Sequence, residues 1–337
     1  MSGSIRGPSG AAGPLPLPGP DPAPARAPSL AEQLLARRDR AEVARLGDVD
    51  PARLVAGATP EQRADLVDLL QRGHTGKQAE RAIRNILRST PVDERDLVLR
   101  RIDLGNDEYT VDKLVNDDID NPGIRRDVAN LVVESRLREA TKGRTELGVV
   151  TDFDDTLVPQ LDDRYRSRGV IPGMATLLKE LDVGPQGRGK SGDIHLVTAR
   201  PPGFGNPAEK LAGKGFPAVT VNRGNLFSVA FDIGGEKARD IARIIALNPK
   251  QKFVFFGDNA QQDAKAYAKV LRDHPDNVAA ALVRRVDGKV KRDEKDYPGV
   301  TFFSGDGADA AKILFDRKVI TADQYARVAE AARRERG

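Results

Sequence analysis

The chain of 337 residues contains no cysteine and no tryptophan, and only three histidines. Without cysteine there is no disulfide, no thiolate zinc site and no cysteine nucleophile. His74, His195 and His274 stand far apart and fall in no motif. A structural role is expected for each, and His195, inside an apolar run, is expected in the core. Long hydrophobic runs are also missing. The stretch from Val278 to Val283 falls far short of the roughly 20 residues a membrane-spanning helix needs. The amino terminus carries Arg6 and then Gly, Pro and Ala, without the compact apolar segment of a secretory signal. These absences point to a cytoplasmic protein without a signal peptide or transmembrane helix, with at most a peripheral contact to membranes. Charge of one sign is lacking too. The 54 basic and 50 acidic residues leave a net +4, a slight excess that predicts no nucleic-acid partner. Arg284, Arg285, Lys289, Lys291 and Arg292 cluster, and this patch is expected to face solvent.

What is present divides along the chain. Residues 1–28 are Gly, Pro, Ala and Ser with few large apolar side chains, so burial cannot repay the entropy of ordering them and a disordered tail is expected. Over 29–140 the apolar spacing is helical, as at Leu66, Leu69 and Leu70 or Ile83, Ile86 and Leu87, which predicts a small all-α domain. Its helix starts are placed at Ser29, Asp50-Pro51, Thr59-Pro60 and Thr90-Pro91. The last two pairs are each followed at the same offset by Asp-Leu-Val, which fits either a 31-residue repeat or a coincidence of capping residues.

After Arg144 short apolar runs alternate with helical ones. This pattern predicts an α/β domain over 145–316 with a mainly parallel sheet, closed by a carboxyl-terminal helix in 317–337. Strands are expected near Leu147 to Phe153, Asp193 to Val197, Ala218 to Val221, Lys252 to Phe256 and Val278 to Val283. Three of these runs end in polar residues: Asp152-Phe153-Asp154-Asp155-Thr156, Thr198-Ala199-Arg200, and Gly257-Asp258 followed by Asp263. Ligands of open α/β sheets bind at the carboxyl ends of the strands, so these groups can converge. A single Asp-x-Asp after a strand is also a common turn with solvated acids. Several carboxylates meeting in one buried place, however, need a cation, and a cluster of carboxylate oxygens suits Mg²⁺.

In order, Asp152, Asp154 and Thr156 as DxDxT, then Thr198, Lys237, and Gly257-Asp258 with Asp263 resemble the four motifs of the haloacid dehalogenase (HAD) superfamily of phosphatases. Within it, the stretch from Lys237 through GDNAQQDAKAYAKVLRDHPDNVAAALVRRV, with Thr198-Ala199-Arg200-Pro201 and Gly215-Phe216-Pro217, is similar to the actin patch-associated phosphatidate phosphatases. The resemblance covers about 145–305. It implies a HAD-like Rossmannoid three-layer α/β/α domain with a minimal cap, and an Mg²⁺-dependent phosphomonoester hydrolase working through an aspartyl-phosphate. It further implies Asp152 as nucleophile, Asp154 as general acid and base, Thr198 and Lys237 as phosphoryl-stabilising groups, and Thr156 beside the substrate. Metal ligands would be Asp152, Asp154 through its backbone carbonyl, and Asp258, with Asp263 supporting them. Arg200 either contacts the substrate phosphate or anchors a loop, and Lys237 competes with the reading of a solvated helix-face lysine.

Only Val158 to Val170 separates the first motif from the next helix, and about forty residues fill the second gap, so an open site is expected. That suits a phosphate on a large or membrane-borne molecule, consistent with phosphatidate giving diacylglycerol. Pro201-Pro202-Gly203-Phe204 departs from the aromatic-rich segment expected of lipid-acting relatives. Alternatives are a phosphatase of a phosphoprotein or nucleotide on the same scaffold, or an exported or regulatory interaction protein whose helical part binds a partner. Gly184 to Ser191 fits the nucleotide P-loop pattern by letter, but it follows a helix and leads into a strand, so a plain connecting loop is expected. Asp118 to Gly123 resembles a calcium loop, but its twelfth position is Ala129 where a bidentate Glu belongs.

Overall fold

The computed structural model describes residues 27–105, 109–141, 147–184, 193–198, 205–223, 232–286 and 294–337. The amino-terminal part is helical, with helices Leu30–Arg37, Arg40–Val49, Pro51–Val55, Pro60–Gln71, Lys77–Ser89, Val92–Asp103 and Pro122–Thr141, and a short turn Val111–Lys113 running into a π-helical turn Leu114–Asp118. Side-chain capping sets several of the starts. Ser29 and Thr59 each form a capping box with the residue three positions on, and Asp50 accepts from the Arg53 amide. Thr90 acts differently: its hydroxyl donates to the Ile86 carbonyl at 2.9 Å, and Pro91 is the cap of the helix that follows. The two Thr-Pro pairs therefore do not act alike. Leu66, Leu70, Ile83, Ile86 and Leu87 are fully buried in one core, which also takes in Leu247 from the second part of the chain.

Six parallel strands form one sheet: β1 Leu147–Thr151, β2 Ile194–Thr198, β3 Thr220–Arg223, β4 Lys252–Asp258, β5 Val278–Arg284 and β6 Thr301–Phe303. Their order is β3-β2-β1-β4-β5-β6. The chain thus builds outward from β1 in one direction and then restarts beside β1 with β4 in the other, which puts the topological switch between β1 and β4. The sequence pattern missed β6, only three residues long, and the short helix Pro207–Ala212. Alternation along the strands splits the apolar residues between two faces. Val149, Leu196, Val254 and Leu282 meet helices Met174–Val183, Gly307–Asp316 and Ala322–Arg336, while Val150, Val197, Phe255 and Val283 meet helices Ile233–Leu247 and Asp263–Asp273. The result is a three-layer α/β/α fold. Strands buried on both faces explain the near-continuous apolar runs in the sequence.

The helical part packs helix Pro122–Thr141 against helix Ile233–Leu247. It also reaches the amino end of β2, where Arg100 lies 3.2 Å from Asp193 and 2.8 Å from Asp96. Arg136 extends this ion-pair group to Asp96 and Asp103. His195 lies buried here, as expected of a core histidine, with burial pushing its imidazole down to about 4. This seam lies at the opposite end of the strands from Asp152 and Asp258. No helix among the described residues is long and apolar enough to cross a membrane.

Candidate active site

At the carboxyl end of β1 the chain leaves the sheet with its backbone still tied to β4, as the Asp152 amide donates to the Phe256 carbonyl at 2.9 Å. Asp152 is 1% exposed. One of its oxygens, Oδ1, accepts from Lys237 Nζ at 2.8 Å, and the other, Oδ2, has no hydrogen-bond partner among the described residues. Lys237 stands near the start of helix Ile233–Leu247, whose N-cap is Asp232. The same ammonium donates to Asp263 Oδ1. A solvated helix-face lysine is therefore not what the fold makes of Lys237, which is buried between two carboxylates.

Asp263 opens helix Asp263–Asp273 directly beyond β4, and its Oδ2 accepts the Asp258 amide at 3.0 Å. Asp258, the last residue of β4, takes the Ala260 and Gln261 amides on Oδ1 at 2.6 and 3.2 Å. Its Oδ2, like that of Asp152, is buried and unpartnered among the described residues. Asp152, Asp258 and Asp263 each offer a carboxylate oxygen, all within 4.8 Å of one another. Asp152 and Asp258 come from strands adjacent at the switch point, which is why residues so distant in sequence meet.

Three carboxylates facing one ammonium leave the group short of positive charge. Burial pushes the Asp152 carboxyl up to about 7, opposed by Lys237 and reinforced by Asp263 and Asp154. Burial, then the charges of Asp263 and Asp152, push Asp258 up to about 8. For Lys237 burial works against the charged form, but Asp152 and Asp263 outweigh it and hold the ammonium well above its ordinary value. Two buried carboxylate oxygens without donors, beside acids that resist ionising, are the signature of a place built for a divalent cation. The residues present fit one. Asp263 spends its two oxygens on Lys237 and on the Asp258 amide, which suits support of the ligands better than direct ligation.

Asp154 lies two residues beyond Asp152, buried, in a tight turn bridged to Val158. Its carboxylate is not part of the acidic group above. Thr156 is buried with its hydroxyl unpartnered among the described residues, and Thr198 ends β2 at 3% exposure. Arg200 lies outside the described residues, as does the P-loop-like stretch after Gly184.

The expectation that the basic cluster faces solvent fails at Arg284. The last residue of β5 is 1% exposed and pairs with Asp162, because the β5 backbone directs it under the turn that follows Asp152. Arg285 does reach the surface, where it pairs with Glu294, and Lys289, Lys291 and Arg292 lie outside the described residues. The missed signal was position: Arg284 closes a strand buried on both faces, where a charge needs a partner. Among the described residues Asp152, Asp258 and Asp263 are the one group of this kind able to hold a metal, so the stretch around Asp118 adds none.

Residues 147–285 match the family model described as phosphatidate phosphatase APP1, catalytic domain. No curated protein and no solved structure matches the chain.

Proposed function

We propose that this chain, whose residues 147–285 belong to the phosphatidate phosphatase APP1 catalytic-domain family and so to a family of HAD-like phosphoric monoester hydrolases, removes phosphate from a membrane-borne phosphomonoester by way of a phosphorylated Asp152. The observation that carries the reading is the pair of buried carboxylate oxygens on Asp152 and Asp258 that have no hydrogen-bond partner among the described residues, with Lys237 bound to the other oxygen of Asp152.

Asp152 is the attacking carboxylate. It forms a bond to phosphorus as the ester oxygen leaves, which divides one difficult displacement into two easier ones. Lys237 opposes the protonation of Asp152 and orients it, and then faces the negative charge spread over the transferring group. Asp154 donates a proton to the leaving oxygen and afterwards takes one from the water that attacks the acyl phosphate. Thr198 and the hydroxyl of Thr156, unpartnered among the described residues, supply donors to phosphoryl oxygens, and Arg200 follows Thr198 closely enough in sequence to serve the same group. Asp152, Asp258 and the Asp154 carbonyl would hold Mg²⁺, whose charge when bound shields the phosphate dianion from the incoming carboxylate.

Phosphatidate is the substrate we assign. The short segment 158–170 after the first motif supports it, since an open mouth accepts a phosphate that stays at a lipid surface. Contact with the bilayer is then peripheral.

The test is phosphate release from phosphatidate in mixed micelles and from soluble phosphoproteins, nucleotides and sugar phosphates, with Mg²⁺ or EDTA, for wild type and Asp152→Asn. Magnesium-dependent release lost in Asp152→Asn supports the mechanism, and preference for phosphatidate supports the lipid assignment. Release from soluble esters alone would remove the lipid, and no release from any of them would remove the reading.

A further inference from the structure

The turn that carries Asp154 is held from outside by a residue the four motifs do not contain. Asp155 adopts a left-handed backbone, φ 52°, which aspartate tolerates better than most residues but which still needs support. Support comes from two sides. Its carboxylate Oδ1 accepts the backbone amides of Gln160, Leu161 and Asp162 at 2.9, 2.8 and 3.0 Å. Its carbonyl accepts Nε of the buried Arg284 at 2.7 Å. The same guanidinium donates from Nη1 to Asp162 Oδ2 at 2.5 Å and lies with its carbon 5.8 Å from the Tyr165 ring centre. Asp162 is itself gripped by Arg164, which continues to the carbonyls of Ser304 and Arg285.

Arg284 is the strand partner of Asp258 in the β4–β5 pairing. One strand end therefore sits beside Asp258 and, through one fork of donors, holds the turn that carries Asp154. We propose that Arg284 is a positioning residue for phosphoryl transfer, holding the Asp155 carbonyl and Asp162 so that Asp154 points at the leaving oxygen. The inference rests on the reading of Asp154 as general acid given above.

That role has a signature that mere structural support lacks. Misaiming the acid slows departure of a leaving group that needs a proton, such as the alkoxide of an alkyl phosphate. It barely touches p-nitrophenyl phosphate, whose leaving group departs as a stable anion. The experiment compares kcat/KM on glycerol phosphate esters and on p-nitrophenyl phosphate for wild type, Asp154→Asn, Arg284→Met and Arg284→Lys. Arg284→Met is expected to lose at least about tenfold more on the alkyl ester than on the aryl ester, in the same sense as Asp154→Asn. Arg284→Lys should lose part of this, because an ammonium cannot reproduce the fork that serves a carbonyl and a carboxylate together. If Arg284→Met does not fold, Arg284→Lys and Asp162→Asn carry the same comparison. Equal losses on both esters, or no loss, in the folded Arg284 variants while Asp154→Asn shows the selectivity would overturn the inference alone. An Asp154→Asn enzyme without that selectivity would overturn the reading of the acid, and the inference with it.

Discussion

Lys237 Nζ lies 2.8 Å from Asp152 Oδ1 across 85 positions of sequence, and both groups are buried. A buried pair is a poor source of net stability, but removing one member is costly, because the other keeps its charge without compensation. Here the deletion would orphan two carboxylates at once, Asp152 and Asp263. Lys237→Met is therefore expected to destabilise the protein by about 3–5 kcal/mol in EDTA, read by urea unfolding. Phosphatase kcat should fall by about 10²–10³ even at saturating substrate. A variant of unchanged stability and activity would mean that Lys237 does neither job.

The unpartnered oxygens of Asp152 and Asp258 give a second expectation that does not depend on turnover. A cation that binds only the folded state raises stability by about 2.7 kcal/mol at a hundredfold excess over its Kd. Mg²⁺ should raise the Tm of the wild-type protein, and the rise should disappear in Asp258→Asn. Persistence of the full shift in that variant would place the cation elsewhere.

The parallel α/β architecture was legible in the sequence, and so was the strand edge at which its acidic residues gather. Asp152 and Asp258 could be expected to meet because each closes a strongly apolar run, with Asp263 opening the helix just beyond, and the parallel topology gathers such strand ends at one edge. Lys237 sits inside a helix, where composition alone does not separate a buried lysine from a solvated one. Only the packing of helix Ile233–Leu247 against the sheet decides between them. Arg284 was misread for the opposite reason: its basic neighbours in sequence hid that it closes a buried strand. Thr90 looked like a cap because a Thr-Pro pair usually is one, yet its hydroxyl bonds backward to Ile86. Tertiary partners decided the cases of Lys237 and Arg284, and such partners leave little trace in a local pattern, whereas Thr90 was decided by a bond one helical turn back.

The seam between the helical part and the sheet should make stability depend on pH with a definite sign. Burial pushes Asp112 up to about 7, Arg243 opposes it, and Asp240 and Asp117 add to it; burial likewise raises Asp103 and Asp240 to about 6. A carboxyl whose folded pKa is raised favours the folded state below its unfolded pKa and loses that advantage as pH rises toward the folded value. His195, lowered to about 4 by burial, works the other way, since the unfolded imidazole binds its proton up to its ordinary pKa. Three acids against one histidine leave a net fall in stability as pH rises from about 4 to about 7. Asp112→Asn is expected to stabilise the protein by on the order of 2 kcal/mol at pH 7.5, after discounting for partial exposure, and by little at pH 4. The check is denaturant unfolding at both pH values, and an equal effect at both would refute the burial argument.

Gly257 gives the last expectation, because its backbone runs close against the carboxylate of Asp263. A Cβ built on this residue would lie 2.4 Å from Asp263 Oδ2 and 2.6 Å from Asp263 Cβ. Neither atom is the free end of a flexible chain. The carboxylate is pinned by Lys237 Nζ on one oxygen and by the Asp258 amide on the other, and the Cβ is fixed by the first turn of helix Asp263–Asp273. Gly257→Ala must therefore push that helix start away from β4, which pulls Asp263 off Lys237 and changes the setting of Asp258. Overpacking of this kind costs about 1–3 kcal/mol, and a displacement of an ångström at reacting groups costs about a hundredfold in rate. Kinetics and thermal unfolding on the purified variant separate the two effects. If phosphatase activity stays at the wild-type level while Tm falls, the contact between Gly257 and Asp263 serves packing alone. If activity falls further than the small loss of Tm explains, the glycine is there to let Asp263 reach Lys237.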